Sequence, residues 1–290
     1  MRVLLISASV AILLCAGAWA MLPGIGAGAL LHPAKTRARI AAPAVCRGQT
    51  FAGAGVSLNG WRCATTVERR GTIVWLHGVA DNHGSAAGLV DRFLPRGFDL
   101  VAYDSRAHGE SGGDACTYGF FEKQDLARVI DTLERGPIVL IGDSLGGAVA
   151  LQEAADDPRI TAVVAAETFS DLRTVATERA PRLFTAGVLR RAFERAARDG
   201  HFDIEAVSPA RSAAGIHVPV LLIHGDADVD TPPDHSRRIY AALAGPKQLI
   251  LVPGGTHNSS LRPDVWREID RWIDAVLSTP PPASPSARAG

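Results

Sequence analysis

The sequence predicts an α/β fold built on a doubly wound, mostly parallel sheet, and the main reason is an alternation along the chain. From residue 71 onward, short and continuous apolar runs alternate with stretches of helical spacing. Continuous apolar runs are typical of strands that are covered on both faces. Such alternation predicts a parallel sheet with helices on both sides. We place strands at residues 72–76, 100–103, 138–141, 162–166, 220–223 and 249–252.

The stretches between the predicted strands supply the second reason. In residues 264–277 the apolar side chains recur every three or four positions, and residues 121–134 show the same spacing. A helix with this pattern lays one face on a sheet and turns the other toward water. The spacing therefore agrees with helices that cover the sheet.

The composition is that of an ordinary folded protein. The chain has 290 residues, of which 47% are hydrophobic, and its 30 basic and 30 acidic residues give a net charge of zero. This hydrophobic content excludes a disordered chain, and the length allows one large domain or two small ones. A neutral chain without a basic tract has no electrostatic basis for binding nucleic acid.

Residues 1–22 are predicted to be a targeting segment. Arg2 precedes an uncharged, apolar run, which as a helix would be about 30 Å long and would cross a hydrocarbon core. Two interpretations stay open: a signal peptide with the cleavage motif Ala18-Trp19-Ala20, or a retained membrane anchor. Both predict export, so we expect a secreted or periplasmic protein, or one associated with the membrane and with its main body outside the cytoplasm.

Export permits disulfide bonds, and two cysteines are well placed for one. Cys46 and Cys63 flank much of a predicted β-hairpin over residues 49–67, so a bridge between them would close a short loop. Cys116 would then be left as a free thiol. Three unpaired, buried thiols are the alternative, and both interpretations stay open.

The predicted main domain spans residues 45–278 and contains one insertion. Residues 169–214 hold no strand candidate and are longer than an ordinary connection, so we interpret them as a small helical cap inserted before the seventh strand. Some apolar side chains of this cap are expected either to line a substrate pocket or to pack the cap onto the body: Leu183, Phe184, Val188, Leu189 and Phe193. Residues 279–290 are rich in Pro, Ser and Ala and are predicted to be a disordered tail.

The strongest chemical signal is the pentapeptide Gly142-Asp143-Ser144-Leu145-Gly146. It matches the G-x-S-x-G pattern and lies between a buried strand and a predicted helix over residues 145–155. A turn this tight holds its serine in a strained backbone conformation, and the small flanking glycines avoid collisions. The hydroxyl of Ser144 is then presented at the carboxyl edge of the sheet, where open α/β sheets place their sites.

A serine hydroxyl needs a general base to act as a nucleophile. His257 lies in a turn-rich loop just after the last predicted strand and is the candidate base. Asp228, in the loop that leaves the strand over residues 220–223, is the candidate for orienting His257. Asp226 and Asp230 flank it and remain alternatives.

The negative charge that develops on an attacked carbonyl oxygen needs hydrogen-bond donors, which form an oxyanion hole. The backbone N–H of Leu145 is one candidate, because it stands at the start of a helix whose dipole favours negative charge. The backbone N–H of Val79 is the second, in the loop after the strand over residues 72–76, where Gly78 lets the backbone come close.

These motifs together resemble the α/β-hydrolase superfamily, in its serine-hydrolase branch of esterases, lysophospholipases and serine aminopeptidases. The resemblance covers roughly residues 71–277, and the chain order Ser, Asp, His is that of the superfamily. Within residues 103–111 the chain departs from the family pattern at Ala107, where Gly is usual. The resemblance rests on His77-Gly78, residues 103–111, the Ser144 turn, His224-Gly225 with Asp228, and His257.

The resemblance implies hydrolysis through an acyl-enzyme with the triad Ser144, Asp228 and His257, and with no cofactor or metal. The substrate would be an ester, thioester or amide of a small molecule, a lipid or a peptide. A non-catalytic binding or scaffold protein at the membrane is the alternative, because a fold does not fix a function. A third interpretation makes Cys116 a nucleophilic thiol, although no motif places a base beside it.

Overall fold

The computed structural model describes Gly17 and residues 19–278, and these form one eight-stranded sheet with helices on both faces. The order in the sheet is β1-β2-β4-β3-β5-β6-β7-β8, in which β1, β2 and β4 are antiparallel neighbours and the pairs from β4 to β8 are parallel. The predicted doubly wound, mostly parallel sheet is therefore confirmed. The strands are β1 (Cys46–Ala52), β2 (Ser57–Cys63), β3 (Gly71–Leu76), β4 (Phe98–Tyr103), β5 (Ile138–Asp143), β6 (Ala162–Ala166), β7 (Val220–Gly225) and β8 (Lys247–Val252).

The helices cover both faces of the sheet. Apolar residues of α2 and α9 form one buried cluster against it, and those of α3, α4, α7 and α8 form the cluster on the other face. The described helices are α1 (residues 19–31), α2 (Ala87–Phe93), α3 (Glu122–Ile130), α4 (Leu145–Ala154), α5 (Leu172–Glu178), α6 (Ala186–Asp199), α7 (Pro209–Ala213), α8 (Asp234–Ala242) and α9 (Pro263–Ser278), with short 3-10 helices at His83–Ala86, Leu94–Arg96 and Ile204–Ala206.

Burial on both faces explains why the central strands are continuously apolar. In β3, Val74 and Leu76 belong to one buried cluster, whereas Ile73 and Trp75 belong to the other. Full burial of one such side chain is worth about 1.5–3 kcal/mol relative to exposure, so neither face tolerates a polar residue well. Because β4, β3, β5, β6, β7 and β8 run parallel, their carboxyl ends lie at one edge of the sheet.

Between β6 and β7 the chain forms the helices that were predicted as a cap. α5 and α6 join a third buried cluster, which contains Phe193 and Phe202. Ala27 and Leu31 of α1 are buried in that same cluster, so the apolar N-terminal helix packs against this region. α7 instead contributes Ala213 to the core on the sheet, next to α4 and α8.

Both predicted terminal segments lie largely or wholly outside the described residues. The predicted tail, residues 279–290, is entirely outside them, and of the predicted targeting segment, residues 1–22, only Gly17 and residues 19–22 fall within them. Among the helices that the structure describes, none combines the length and the apolar character needed to cross a membrane.

A disulfide joins β1 to β2. Cys46 and Cys63 are direct cross-strand partners in the antiparallel register, and their sulfur atoms are bonded. Cys116 is free and buried. The bridge spans a sequence separation of 17 residues. In the chain-entropy model, closing a loop of this size stabilises the fold by about 3 kcal/mol.

Candidate active site

Ser144 lies at the sharp turn between β5 and α4. Its backbone has φ = 48° and ψ = −109°, a conformation that costs a non-glycine residue on the order of 1–3 kcal/mol. The flanking glycines make the turn possible, because a Cβ on Gly146 would lie 1.9 Å from the carbonyl oxygen of Leu76, and one on Gly142 would lie 2.3 Å from the backbone of Gly146. The strained conformation predicted for Ser144 is thus present.

The three residues predicted as a triad lie in one hydrogen-bonded row. Ser144 Oγ is 3.2 Å from His257 Nε2, and His257 Nδ1 is 2.7 Å from Asp228 Oδ2. Ser144 follows β5, Asp228 follows β7 and His257 follows β8, so the parallel sheet brings together residues up to 113 positions apart. With Nδ1 donating to a carboxylate, the lone pair of Nε2 faces the hydroxyl.

The carboxylate of Asp228 is buried and held from two sides. Its Oδ1 accepts hydrogen bonds from the backbone N–H groups of Asp230 and Thr231, each at 2.9 Å, and its Oδ2 faces His257 at 2.7 Å and His224 at 3.4 Å. Burial alone would raise the pKa of Asp228. Hydrogen bonds from His224, His257 and the Thr231 amide outweigh burial and lower that pKa, so the carboxylate is ionised.

Of the three neighbouring aspartates, only Asp228 faces His257. Asp226 is exposed, and its Oδ1 accepts the backbone N–H of Gly254 at 2.7 Å. Asp230 is also exposed, and it contributes its backbone carbonyl to a hydrogen bond with Arg179. The structure therefore separates residues that the sequence left as alternatives.

The pKa of His257 is raised above its ordinary value. Burial acts to lower the pKa, and the charge of Arg179 acts in the same direction. The hydrogen bond to Asp228 and the negative charge of that carboxylate outweigh both effects. An imidazole with this environment is suited to accept a proton at Nε2 and to hold it while the carboxylate stabilises the imidazolium.

Of the two predicted oxyanion donors, Leu145 adjoins Ser144 in the chain, and Val79 belongs to a loop that passes close to the Ser144 side chain. Leu145 is the first residue of α4, where the N–H groups have no partner within the helix. Val79 follows Gly78, and a Cβ on Gly78 would lie 3.6 Å from the Cβ of Ser144, so this loop passes close to the hydroxyl. No hydrogen bond to another described residue engages the backbone N–H of Val79 or Leu145.

Glu167, which the sequence analysis missed, fixes the loop that carries His257. It follows β6 directly, is 1% exposed, and has a positive φ of 51°. Its carboxylate accepts backbone N–H groups from Asn258, from Ser259 at 3.3 Å and from Ser260 at 2.8 Å. The available signal was an acidic residue directly after a buried strand, at the edge where the other site residues lie.

Glu167, Asp228 and His257 also place one potential metal-ligand atom each within 4.8 Å of one another. Glu167 already accepts backbone N–H groups, and Asp228 accepts two more in addition to the imidazole. A cation would have to displace these donors. We therefore assign hydrogen-bonding roles to these residues.

Arg179 reaches the row from the end of α5. Its Nη2 is 3.2 Å from His257 Nε2, the same nitrogen that faces Ser144. The guanidinium also donates to the Asp230 carbonyl at 2.8 Å and to the hydroxyl of Thr231. Sequence offered no signal for this contact, because Arg179 is one of several arginines in a segment of mixed charge.

A second contact between a serine, a histidine and a carboxylate is unsuited to nucleophilic catalysis. Ser170 Oγ is 2.8 Å from His235 Nδ1, and His235 Nε2 is 2.8 Å from Glu178. The same Nδ1 also accepts the Ser170 backbone N–H at 3.0 Å and an Arg238 N–H at 2.8 Å. Ser170 is 0% exposed, and burial lowers the pKa of His235.

The environment of Cys116 argues against a nucleophilic thiol. Its side chain is buried, and burial raises the pKa of the thiol well above its ordinary value, with the charge of Glu122 acting in the same direction. The thiolate is the reactive form, so a buried thiol of raised pKa is inert.

Comparisons with known proteins show the family to which the chain belongs. The family described as serine aminopeptidase, S33, matches residues 67–212. The chain is 31% identical over 237 residues to the uncharacterized protein YfhR of Escherichia coli K12. This match covers 77% of this chain and 78% of YfhR. It is also 31% identical over 201 residues to the uncharacterized protein YqkD of Bacillus subtilis, with 65% of each chain covered.

Solved structures show the same fold at low sequence identity. An esterase of Pyrococcus furiosus, Pf2001, superposes with a TM-score of 0.66 at 19% identity and covers 86% of this chain and 97% of its own. An acylaminoacyl peptidase of Pyrococcus horikoshii superposes with a TM-score of 0.64 at 19% identity over 80% of this chain. The chain spans only 41% of that peptidase, so the likeness concerns one part of it.

Proposed function

The chain belongs to the serine aminopeptidase S33 family of α/β-hydrolases, and from that premise we propose that it is a serine hydrolase that cleaves an ester, thioester or amide. The observation that carries the proposal is the row from Ser144 through His257 to Asp228, with contacts of 3.2 and 2.7 Å. Its nucleophile stands on a strained turn at the carboxyl edge of the sheet, where substrates of open α/β sheets bind.

In the proposed reaction, Ser144 Oγ attacks the substrate carbonyl while His257 Nε2 takes the hydroxyl proton. The oxygen of the tetrahedral intermediate receives hydrogen bonds from the backbone N–H groups of Val79 and Leu145. His257 then gives its proton to the leaving group, and an acyl-enzyme forms. Water, activated by the same imidazole, releases the acid and restores the hydroxyl. Asp228 stays ionised throughout and holds the imidazole in the tautomer that this cycle needs.

A fluorophosphonate probe tests the nucleophile directly. We expect the wild-type protein to be labelled, Ser144→Ala to lose the label, and Ser170→Ala to keep it, because Ser170 is 0% exposed and lies out of reach of the probe. Circular dichroism of each variant checks that it is folded. A folded wild type that takes no label would contradict the proposal and favour a scaffold. Label that survives in Ser144→Ala would assign another nucleophile.

We also propose that the protein is exported. The disulfide between Cys46 and Cys63 supports this, because such bonds persist in oxidising compartments. If the N-terminal segment is a signal peptide, the mature chain is expected to begin at Met21, after the motif that ends at Ala20. N-terminal sequencing of the protein from its native membrane and soluble fractions distinguishes this from a retained anchor. Exclusive recovery of the full-length chain from the cytoplasm would contradict export.

A further inference from the structure

A cavity lies between α1 and the helices α5 and α6. Its volume of about 320 Å³ is at the small end of the range of about 300–1,000 Å³ that ligand pockets occupy. Apart from Arg179 and Tyr118, its lining consists of apolar residues and glycine. The contribution of α1 to this lining is Ile25, Gly26, Ala29 and Leu30.

Of the five apolar cap residues expected to line a pocket or to pack the cap, three line the cavity, one is packed away from it and one faces outward. Phe184, Leu189 and Phe193 line the cavity. Val188 is instead packed away at 4% exposure, and Leu183 faces outward at 55%. Lining and packing therefore both occur on the same short segment.

Arg179 connects the cavity to the hydrogen-bonded row of Ser144, His257 and Asp228. It forms part of the cavity wall, and its Nη2 lies 3.2 Å from His257 Nε2. Ser144 Oγ lies 3.2 Å from that same nitrogen. The Arg179 side chain thus lines the cavity and also reaches the nitrogen that contacts the nucleophile. A substrate bound at Ser144 can therefore extend one of its two halves into this cavity.

α1 is held as a fixed wall. A Cβ on Gly26 would lie 2.8 Å from Phe184 Cε1 and 3.1 Å from the Cβ of Ala192, so the glycine permits the close approach of α1 to the cap. The Tyr118 hydroxyl donates to the Leu30 carbonyl at 3.0 Å. Cleavage after Ala20 would leave these parts of α1 in the mature chain.

We propose, resting on the proposed function, that this cavity holds the linear acyl chain of an ester or thioester substrate and that α1 limits the length of that chain. The lining offers methylene groups an apolar surface. It offers a peptide no row of donors and acceptors, since Arg179 and Tyr118 are its polar side chains and both already have partners. The substrate class is therefore an apolar acyl ester or thioester, with its carbonyl at Ser144 and its tail against α1.

A series of p-nitrophenyl esters, from acetate to dodecanoate, tests this proposal. For the wild-type protein we expect kcat/KM to rise by about fourfold for each added methylene until the cavity is full, and then to level off or fall. Ala29→Phe adds a ring on the α1 wall of the cavity, so we expect the ratio of kcat/KM for the longer esters to that for acetate to fall by about tenfold or more. Phe184→Ala enlarges the cavity and should move the preferred length upward.

Gly28→Phe is the matched control, because Gly28 lies on α1 outside the cavity lining and a Cβ there meets no atom within 4 Å. It should keep the wild-type length profile. If the profile is flat, or if Ala29→Phe and Gly28→Phe give the same profile while acetate is still hydrolysed, the acyl cavity is wrong and the hydrolase stands. If neither acetate hydrolysis nor fluorophosphonate labelling occurs, the proposed function itself is wrong.

Discussion

Replacing either Ser144 or His257 with alanine is expected to lower kcat by about 10⁴-fold or more, and replacing both is expected to cost little more than replacing one. The reason is that the two side chains act as a unit. The hydroxyl is a weak nucleophile unless Nε2 takes its proton, and the imidazole has no other reacting group to serve. Their contact of 3.2 Å in the structure places them within reach of this transfer.

The measurement is steady-state hydrolysis of p-nitrophenyl acetate by the wild type, both single variants and the double variant. His217→Ala is a suitable control, because His217 is an exposed histidine apart from the site and should leave kcat unchanged. Losses that multiply in the double variant would show that the residues act independently. A His257→Ala variant with near-normal kcat would remove His257 as the base.

The sheet was predictable because its strands are covered on both faces. Burial forces continuous apolar runs, and the predicted run at residues 162–166 coincides with β6. The helix predicted at residues 121–134 is shorter in the structure, where α3 ends at Ile130. Beyond it, Thr132 and Leu133 donate backbone N–H groups to carbonyls three residues earlier. Such a tighter turn keeps nearly the same apolar spacing as a helix, so the pattern did not show where α3 stops.

The site was predictable only where local sequence carries the information. Ser144 was predictable because it lies between Gly142 and Gly146, and the tight turn has no room for a side chain at either position. Glu167 binds backbone amides 91 to 93 residues away, and no local pattern encodes that approach. The wall formed by α1 was also missed, because a run that is apolar on all sides has no periodicity to show which face is buried.

Asp228→Asn is expected to lower kcat by about 10⁴-fold, because it forces the wrong imidazole tautomer. The backbone N–H groups of Asp230 and Thr231 both point at one carboxylate oxygen, so they will hold the amide oxygen of the new side chain. Its NH₂ group must then face His257 Nδ1. An imidazole that accepts at Nδ1 carries its proton on Nε2, where it can no longer accept the proton of Ser144.

The pH profile separates this effect from simple damage to the fold. In the wild type, kcat/KM should fall as pH drops through the raised pKa of His257, because a protonated imidazole is no base. The hydrogen bond and the charge of Asp228 are the largest causes that raise that pKa, so in Asp228→Asn the acid limb of the residual activity should move to lower pH. Asp226→Asn and Asp230→Asn are matched controls for Asp228→Asn. The amide oxygen at position 226 can still accept the Gly254 N–H, and the side chain of Asp230 is exposed. Each control should retain activity within a few-fold of the wild type. An Asp226→Asn variant as impaired as Asp228→Asn would overturn the assignment of the orienting carboxylate.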